Sequence, residues 1–199
     1  MKNYLLISIL LALIPSLIFF ASFERKEKKT ARIAAVVTLC ALSFAGRIVF
    51  SFIPQVQPVT AIVIIAGILL GPKEGFLTGA LSAIFSNMVL GQGPWTPFQM
   101  LAWGTIGAAS ALLAKSEKTK STVCVCVFSF FSAFFFSFVT DIYTAISLGV
   151  QSDLKAAWAV MLSGLAFNIS HAVGNVIFIL LLYKPIEKRI NRLKTKYNL

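Results

Sequence analysis

Ten consecutive residues between two apolar stretches, Gly91-Gln92-Gly93-Pro94-Trp95-Thr96-Pro97-Phe98-Gln99-Met100, combine amide, hydroxyl and indole groups with a backbone broken by Gly and Pro. Hydrocarbon cannot satisfy backbone polar groups, so such a hairpin must bend at a membrane surface or line a cavity. Trp95, Gln99 and Trp103 recur at i, i+4 and i+8, which stacks aromatic, amide and aromatic side chains on one helix face. Aromatic rings stack on flat molecules and amides hydrogen-bond their edges, so the stripe suits capture of a flat, polar solute. An interfacial aromatic belt around a turn is the competing reading, because Trp concentrates at that depth for its amphipathic shape alone.

Further chemistry lies inside apolar segments. Asn168, His171 and Asn175 recur at i, i+3 and i+7 and share a face, which in a membrane helix turns into the bundle. A hydrogen-bonded core histidine and a solute contact are both open for His171. Asp141, with Tyr143 nearby, is the one carboxylate expected within a span, and Arg47 the one intramembrane arginine. An ionised carboxylate at that depth costs about 2.5–3.5 kcal/mol on insertion scales, so it needs a partner or a wet cavity. A structural Arg47–Asp141 ion pair is the first expectation, and a polar clamp at the base of a solute pocket is compatible with it.

Other chemistries are excluded. The sequence contains no G-x-x-x-x-G-K-[ST] loop for ATP, no paired-carboxylate metal motif and no Ser/His/Asp set. Cys40, Cys124 and Cys126 all lie in apolar segments, which fits neither a disulfide framework nor a metal centre. No inverted repeat is evident, which weakens the case for a self-sufficient permease.

The elements that must position these groups are membrane helices. Of 199 residues, 58% are hydrophobic and 13% charged, and mean hydropathy is +0.86; a soluble domain carries about 25% charged residues. Seven apolar segments follow one another: 4–23, 32–53, 59–70, 76–90, 98–114, 122–150 and 157–183. The first is too long, and lacks the small-residue pattern, for a cleaved signal. The third is too short to cross a bilayer alone and is expected to be buried or tilted.

The net charge of +11 belongs to segment ends rather than to a nucleic-acid-binding face. Arg25, Lys26, Lys28, Lys29 and Arg32, then Lys73, then Lys115, Lys118 and Lys120, then the tail from Lys184 fall on alternate loops. They therefore share one side, expected to be cytoplasmic, with the N-terminus outside and the C-terminus inside. The glutamine- and tryptophan-bearing loops face the other side, as a site that collects solute from outside requires. In the tail, Ile186, Ile190 and Leu193 alternate with basic residues, and a helix lying on the membrane surface is expected.

Small residues complete the pattern: Ala31 with Ala35, and Ala41 with Ala45, are four apart on the second segment, a spacing that lets another helix approach closely.

The run from Pro58-Val59-Thr60-Ala61 through Gly67, Gly71-Pro72, Gly75, Gly79 and Ser86-Asn87, then Gly91-Gln92-Gly93-Pro94-Trp95-Thr96-Pro97 to Trp103-Gly104, resembles the substrate-binding S components of energy-coupling factor (ECF) transporters. The similarity covers about residues 32–184 and is nearest to members for cobalamin-type solutes. It implies an all-α integral membrane protein: a six-helix S-component bundle (32–184), preceded by one extra N-terminal transmembrane helix and basic turn (1–31) and followed by a basic cytoplasmic tail (185–199).

The resemblance implies a multi-pass cell-membrane subunit, not an enzyme, that captures a vitamin outside and delivers it inward. Cobalamin or a related corrinoid is the expected solute, with a queuosine precursor, or an autonomous permease or membrane enzyme, as the alternatives. A scaffold membrane subunit and two ATPase subunits would supply the energy from ATP, and this chain would hold no cofactor of its own. Asn87, Gln92, Trp95, Gln99, Trp103, Asp141, Tyr143, Asn168, His171 and Asn175 are the expected solute contacts. Ala31, Ala35, Ala41 and Ala45 match the family's Ala-x-x-x-Ala scaffold-docking spacing.

Overall fold

The computed structural model describes Leu10 and residues 29–197. Within them run α1 (Lys29–Val49), α2 (Val59–Leu70), α3 (Pro72–Leu90), α4 (Thr96–Ser110), a 3-10 turn (Ala111–Lys115), α5 (Thr122–Ser147), α6 (Leu154–Ser163) and α7 (Leu165–Tyr197), with no strand among the described residues. The expected helix over 4–23 lies outside them, apart from Leu10. Among the described residues three helices are long and apolar enough to cross a bilayer, beginning at Thr30, Thr122 and Leu165. The chain is thus an all-α membrane protein.

The short helix α2 is the centre of the bundle. All twelve of its residues are buried, against α1, α3, α4, α5 and α7. At about 1.5 Å per residue it spans only about 18 Å, which suffices because it meets protein rather than lipid along its whole length. Its Val, Thr and Ile run has poor intrinsic helix propensity, yet inside an apolar bundle only a helix satisfies the backbone from within. Pro58 opens it, and Gly71, at φ 116°, closes it by returning its N–H to the Gly67 carbonyl.

Packing of α2, α3 and α4 depends on an absence of side chains. A Cβ at Gly75 would stand 2.4 Å from the Gly107 carbonyl oxygen and 2.7 Å from the Gly67 Cα. The three backbones therefore touch, as close helix packing in lipid requires.

One end of the bundle gathers the basic loops. Arg32 pairs with the buried Glu74 at 3.2 Å, and the Tyr183 hydroxyl donates to the Lys120 carbonyl at 3.1 Å. The opposite end carries the loops around Gln55–Gln57 and Gly91–Trp95.

Three expectations about helices are corrected. The last segment is not one helix beginning at Ala157: α6 and α7 are separated at Gly164. The Ser163 hydroxyl donates to the Val160 carbonyl at 2.7 Å, and a Ser–Gly pair is a frequent place for the helical ladder to break. The tail is not a separate surface helix either, because α7 continues through Pro185 to Tyr197. An interior proline costs about 3 kcal/mol. Here Ile190 is buried and Ile186 and Leu193 pack on the core, so the tail's apolar face is held by the bundle. The alanine stripe divides as well: Ala35 is buried inside the bundle and Ala31 half-buried, whereas Ala41 and Ala45 are exposed in line with Ala34 and Thr38. Ala35 is therefore internal packing.

Candidate functional site

A cavity of about 250 Å³ opens at the glutamine-bearing end, between the first turns of α2 and the facing sides of α1, α4, α5 and α7. Its aromatic wall is Trp103 stacked on Phe136, ring centroids 4.6 Å apart, with His171 edge-on to Phe136 at 5.4 Å. Its polar lining includes Arg47, Gln55, Gln57, Gln99 and Thr140.

Arg47 organises one side. Its Nε donates to Gln57 Oε1 at 3.1 Å, and its Nη1 donates to Asn87 Oδ1 at 2.9 Å and to the Ser86 hydroxyl. The guanidinium also lies over the Trp103 ring, 5.0 Å from its centroid, a cation–π contact strengthened where water is scarce. Asn87 passes the network on, its Nδ2 donating to Thr96 Oγ1 at 2.8 Å and to Gln99 Oε1 at 2.7 Å. Thr60, second residue of α2, organises the other side. It accepts from Trp103 Nε1 at 3.0 Å and meets His171 Nε2 at 2.9 Å.

The Arg47–Asp141 ion pair does not form. Arg47 is satisfied by amides and a hydroxyl, and Asp141 has no ion-pair partner among the described residues. Both belong to the same end of the bundle, but helix rotation turns Arg47 inward and leaves Asp141 half-exposed.

The expected contacts separate into lining and supporting groups. Gln99, Trp103 and His171 line the cavity. Asn87 is fully hydrogen-bonded one step behind it, and Gln92 closes the α3–α4 turn by donating to the Ile84 carbonyl and accepting from Thr96. Trp95, 37% exposed, packs edge-on against Tyr143 at 6.4 Å, and Tyr143 also meets Phe98, so neither lines the cavity. Asn168 accepts from the Ser137 hydroxyl at 2.5 Å, and Asn175 donates to the Ser129 carbonyl at 3.1 Å. These two asparagines hold α7 to α5, and only His171 of their trio reaches the site.

Sequence reasoning missed Val59, Thr60, Phe136 and Thr140 as lining residues. The available signals were a lone hydroxyl at the mouth of an otherwise apolar run and a Phe-x-x-x-Thr spacing on α5. Gln55, which lines the cavity mouth, takes a left-handed conformation at φ 62° that its surroundings must hold in place.

The fold is an all-α membrane bundle, and at one end it carries a pocket lined by stacked aromatics and amides. Residues 29–188 match the family model described as "ECF-type riboflavin transporter, S component", and the chain belongs to this family of transport subunits. That description names riboflavin, not the cobalamin-type solute expected from the sequence resemblance. Neither a curated protein nor a solved structure matches the chain.

The two tryptophans should respond differently to truncation. Trp103→Ala removes the ring that holds Phe136 and Arg47 in the cavity wall and the donor to Thr60, and is expected to weaken solute binding at least about tenfold. Trp95→Ala, at the exposed rim, should change it less than about threefold. Equal effects in an equilibrium titration would return the site to the whole stripe.

Proposed function

We propose that this chain captures a flavin-sized vitamin, riboflavin being the best fit, in the cavity that Trp103 and Arg47 help to line, and delivers it across the membrane with energising partners. The observation that carries this reading is the cavity itself: about 250 Å³, with an aromatic pair on one wall and amide and guanidinium groups around it. Pockets for drug-sized ligands occupy roughly 300–1,000 Å³, so this one takes a single fused ring system with its side chain toward the mouth. A corrinoid is several times larger than a flavin, so cobalamin is not carried forward as the solute.

The basic loops at the opposite end favour a cytoplasmic placement there, which opens the cavity outward and sets the C-terminus inside. S components of this family work with a scaffold membrane subunit and ATPases, and the same partners are proposed here. The exposed stripe of Ala34, Thr38, Ala41 and Ala45 on α1 supports docking of a scaffold helix.

The test is titration of the purified full chain with riboflavin, read by quenching of flavin fluorescence, with cobalamin in parallel. Saturable riboflavin binding with no cobalamin binding is expected, and the reverse would overturn the assignment. A second result should follow from the stripe. Ala41→Trp is expected to abolish riboflavin uptake by the reconstituted complex while leaving the dissociation constant of the isolated chain within about twofold. Loss of both together would make Ala41 an internal packing residue.

A further inference from the structure

Two hydrogen-bond relays converge on the cavity, and each starts from a group that can only donate. Arg47 donates to the oxygens of Asn87 and Gln57. Asn87 must then turn its Nδ2 the other way, toward Gln99 Oε1. The amide nitrogens of Gln57 and Gln99 have no partner among the described residues, and both residues line the cavity. On the other side, Trp103 Nε1 donates to Thr60. The Thr60 hydroxyl has one proton left to give, and its remaining neighbour is His171 Nε2. With that proton given to Nε2, neutral His171 carries its own on Nδ1. That atom is itself buried and has no partner among the described residues, and the ring lines the cavity with its other atoms.

Resting on the cavity's reading as the solute site, we infer that these relays fix its inner wall as a set of N–H donors, so that it selects a ring whose buried edge presents acceptors. Gln57 and Gln99 each end in a donor beside the Arg47 guanidinium, and the second relay fixes the His171 ring that stands behind them. Thr140, whose hydroxyl donates to the Phe136 and Ser137 carbonyls, leaves lone pairs as a matching acceptor. The complementary edge is a ring dione, carbonyl–N–H–carbonyl. A ring with an amino group in place of one carbonyl would set N–H against N–H.

The specificity follows from polarity rather than shape, so probes of equal shape test it. Lumazine and pterin share the pteridine ring and differ at one edge, where lumazine has a carbonyl and pterin an amino group. Competition against riboflavin on the full chain should favour lumazine by about tenfold, as expected when a buried donor is left facing a donor. Asn87→Asp still accepts from Arg47 but cannot donate to Gln99, so that amide should turn its oxygen to the cavity and the lumazine preference should fall to parity or reverse. Unchanged preference in that variant, with thermal unfolding intact, would overturn the relay.

His171 is the sole histidine, so histidine-labelled protein gives one pair of imidazole ¹⁵N signals. Protonated Nδ1 and unprotonated Nε2 are expected at neutral pH, becoming a tautomer mixture in Thr60→Val. An Nε2–H tautomer or an imidazolium in the unsubstituted protein would refute the second relay. Should neither riboflavin nor lumazine bind, the flavin reading falls, while the imidazole spectrum still decides the relay by itself.

Discussion

Arg47→Met should reduce riboflavin affinity by about 100-fold or more. The substitution keeps an unbranched apolar stem but removes all the guanidinium donors. Hydrogen bonds to a charged group contribute about 1.5–3 kcal/mol each, and Arg47 makes them to Gln57, Ser86 and Asn87. Binding loses the guanidinium directly and also its hold on the Asn87 and Gln99 amides, which become free to rotate. Stability should change less than binding. A buried cation without a carboxylate partner is expensive to keep, so the cost of unpaired amide oxygens is partly offset by relief of that burial. Arg47→Lys should fall between the two, because one ammonium cannot reach three acceptors in a fixed fork. Asp141→Asn is the contrast. With no ion pair to lose, it should leave thermal unfolding unchanged, and a large destabilisation there would restore the ion-pair expectation. Isothermal titration with parallel thermal unfolding separates these outcomes.

The second large effect is expected at Gly75. An alanine there puts a methyl group against the Gly107 carbonyl and the Gly67 Cα, atoms of backbone that cannot rotate away. Overpacking a core costs about 1–3 kcal/mol, and more where no side chain can yield. Gly75→Ala should therefore lower the midpoint of thermal unfolding by roughly 5 °C or more, or prevent accumulation of folded protein. Gly164→Ala should do neither. A Cβ there meets nothing closer than 3.8 Å, and restoring a helix former at the α6–α7 break should be neutral or slightly stabilising. Similar losses at both positions would mean that general helix softening, rather than the contact between α2, α3 and α4, is responsible.

Much of the architecture was legible before the fold was seen because membrane constraints act locally. Backbone satisfaction in lipid forces helices, so apolar stretches bounded by Gly, Pro and charge located α2, α3 and α4 within a few residues. The basic loops fell on alternate turns, and the structure brings Arg32 to Glu74 and Lys120 to Tyr183 at one end. Ser163 and Pro185 misled in opposite directions. The Ser–Gly pair broke a helix that hydropathy alone would continue, and the packing of Ile190 carried a helix through a proline that propensity alone would end.

The site was legible in kind and only partly in membership. Stacked indole, amide and imidazole groups could be named from spacing, since i, i+4 and i+8 must share a face. Spacing does not say how deep along that face the cavity lies. Trp95 and Trp103 stand on one stripe, yet the first is a rim residue against Tyr143 and the second is the wall.

The amino-acid sequence by itself determined that this is a helical membrane protein with one charged end and one amide- and indole-bearing end, because those properties depend on composition and on neighbours a few positions away. Only the tertiary structure decided that Arg47 serves Asn87 and Gln57 instead of Asp141, and that Thr60 joins Trp103 to His171. Those partners come from α1, α2, α3, α4 and α7, and whether they meet depends on the rotation and depth of each helix. That in turn depends on where the glycines let backbones touch, a relation between distant segments that no local pattern encodes.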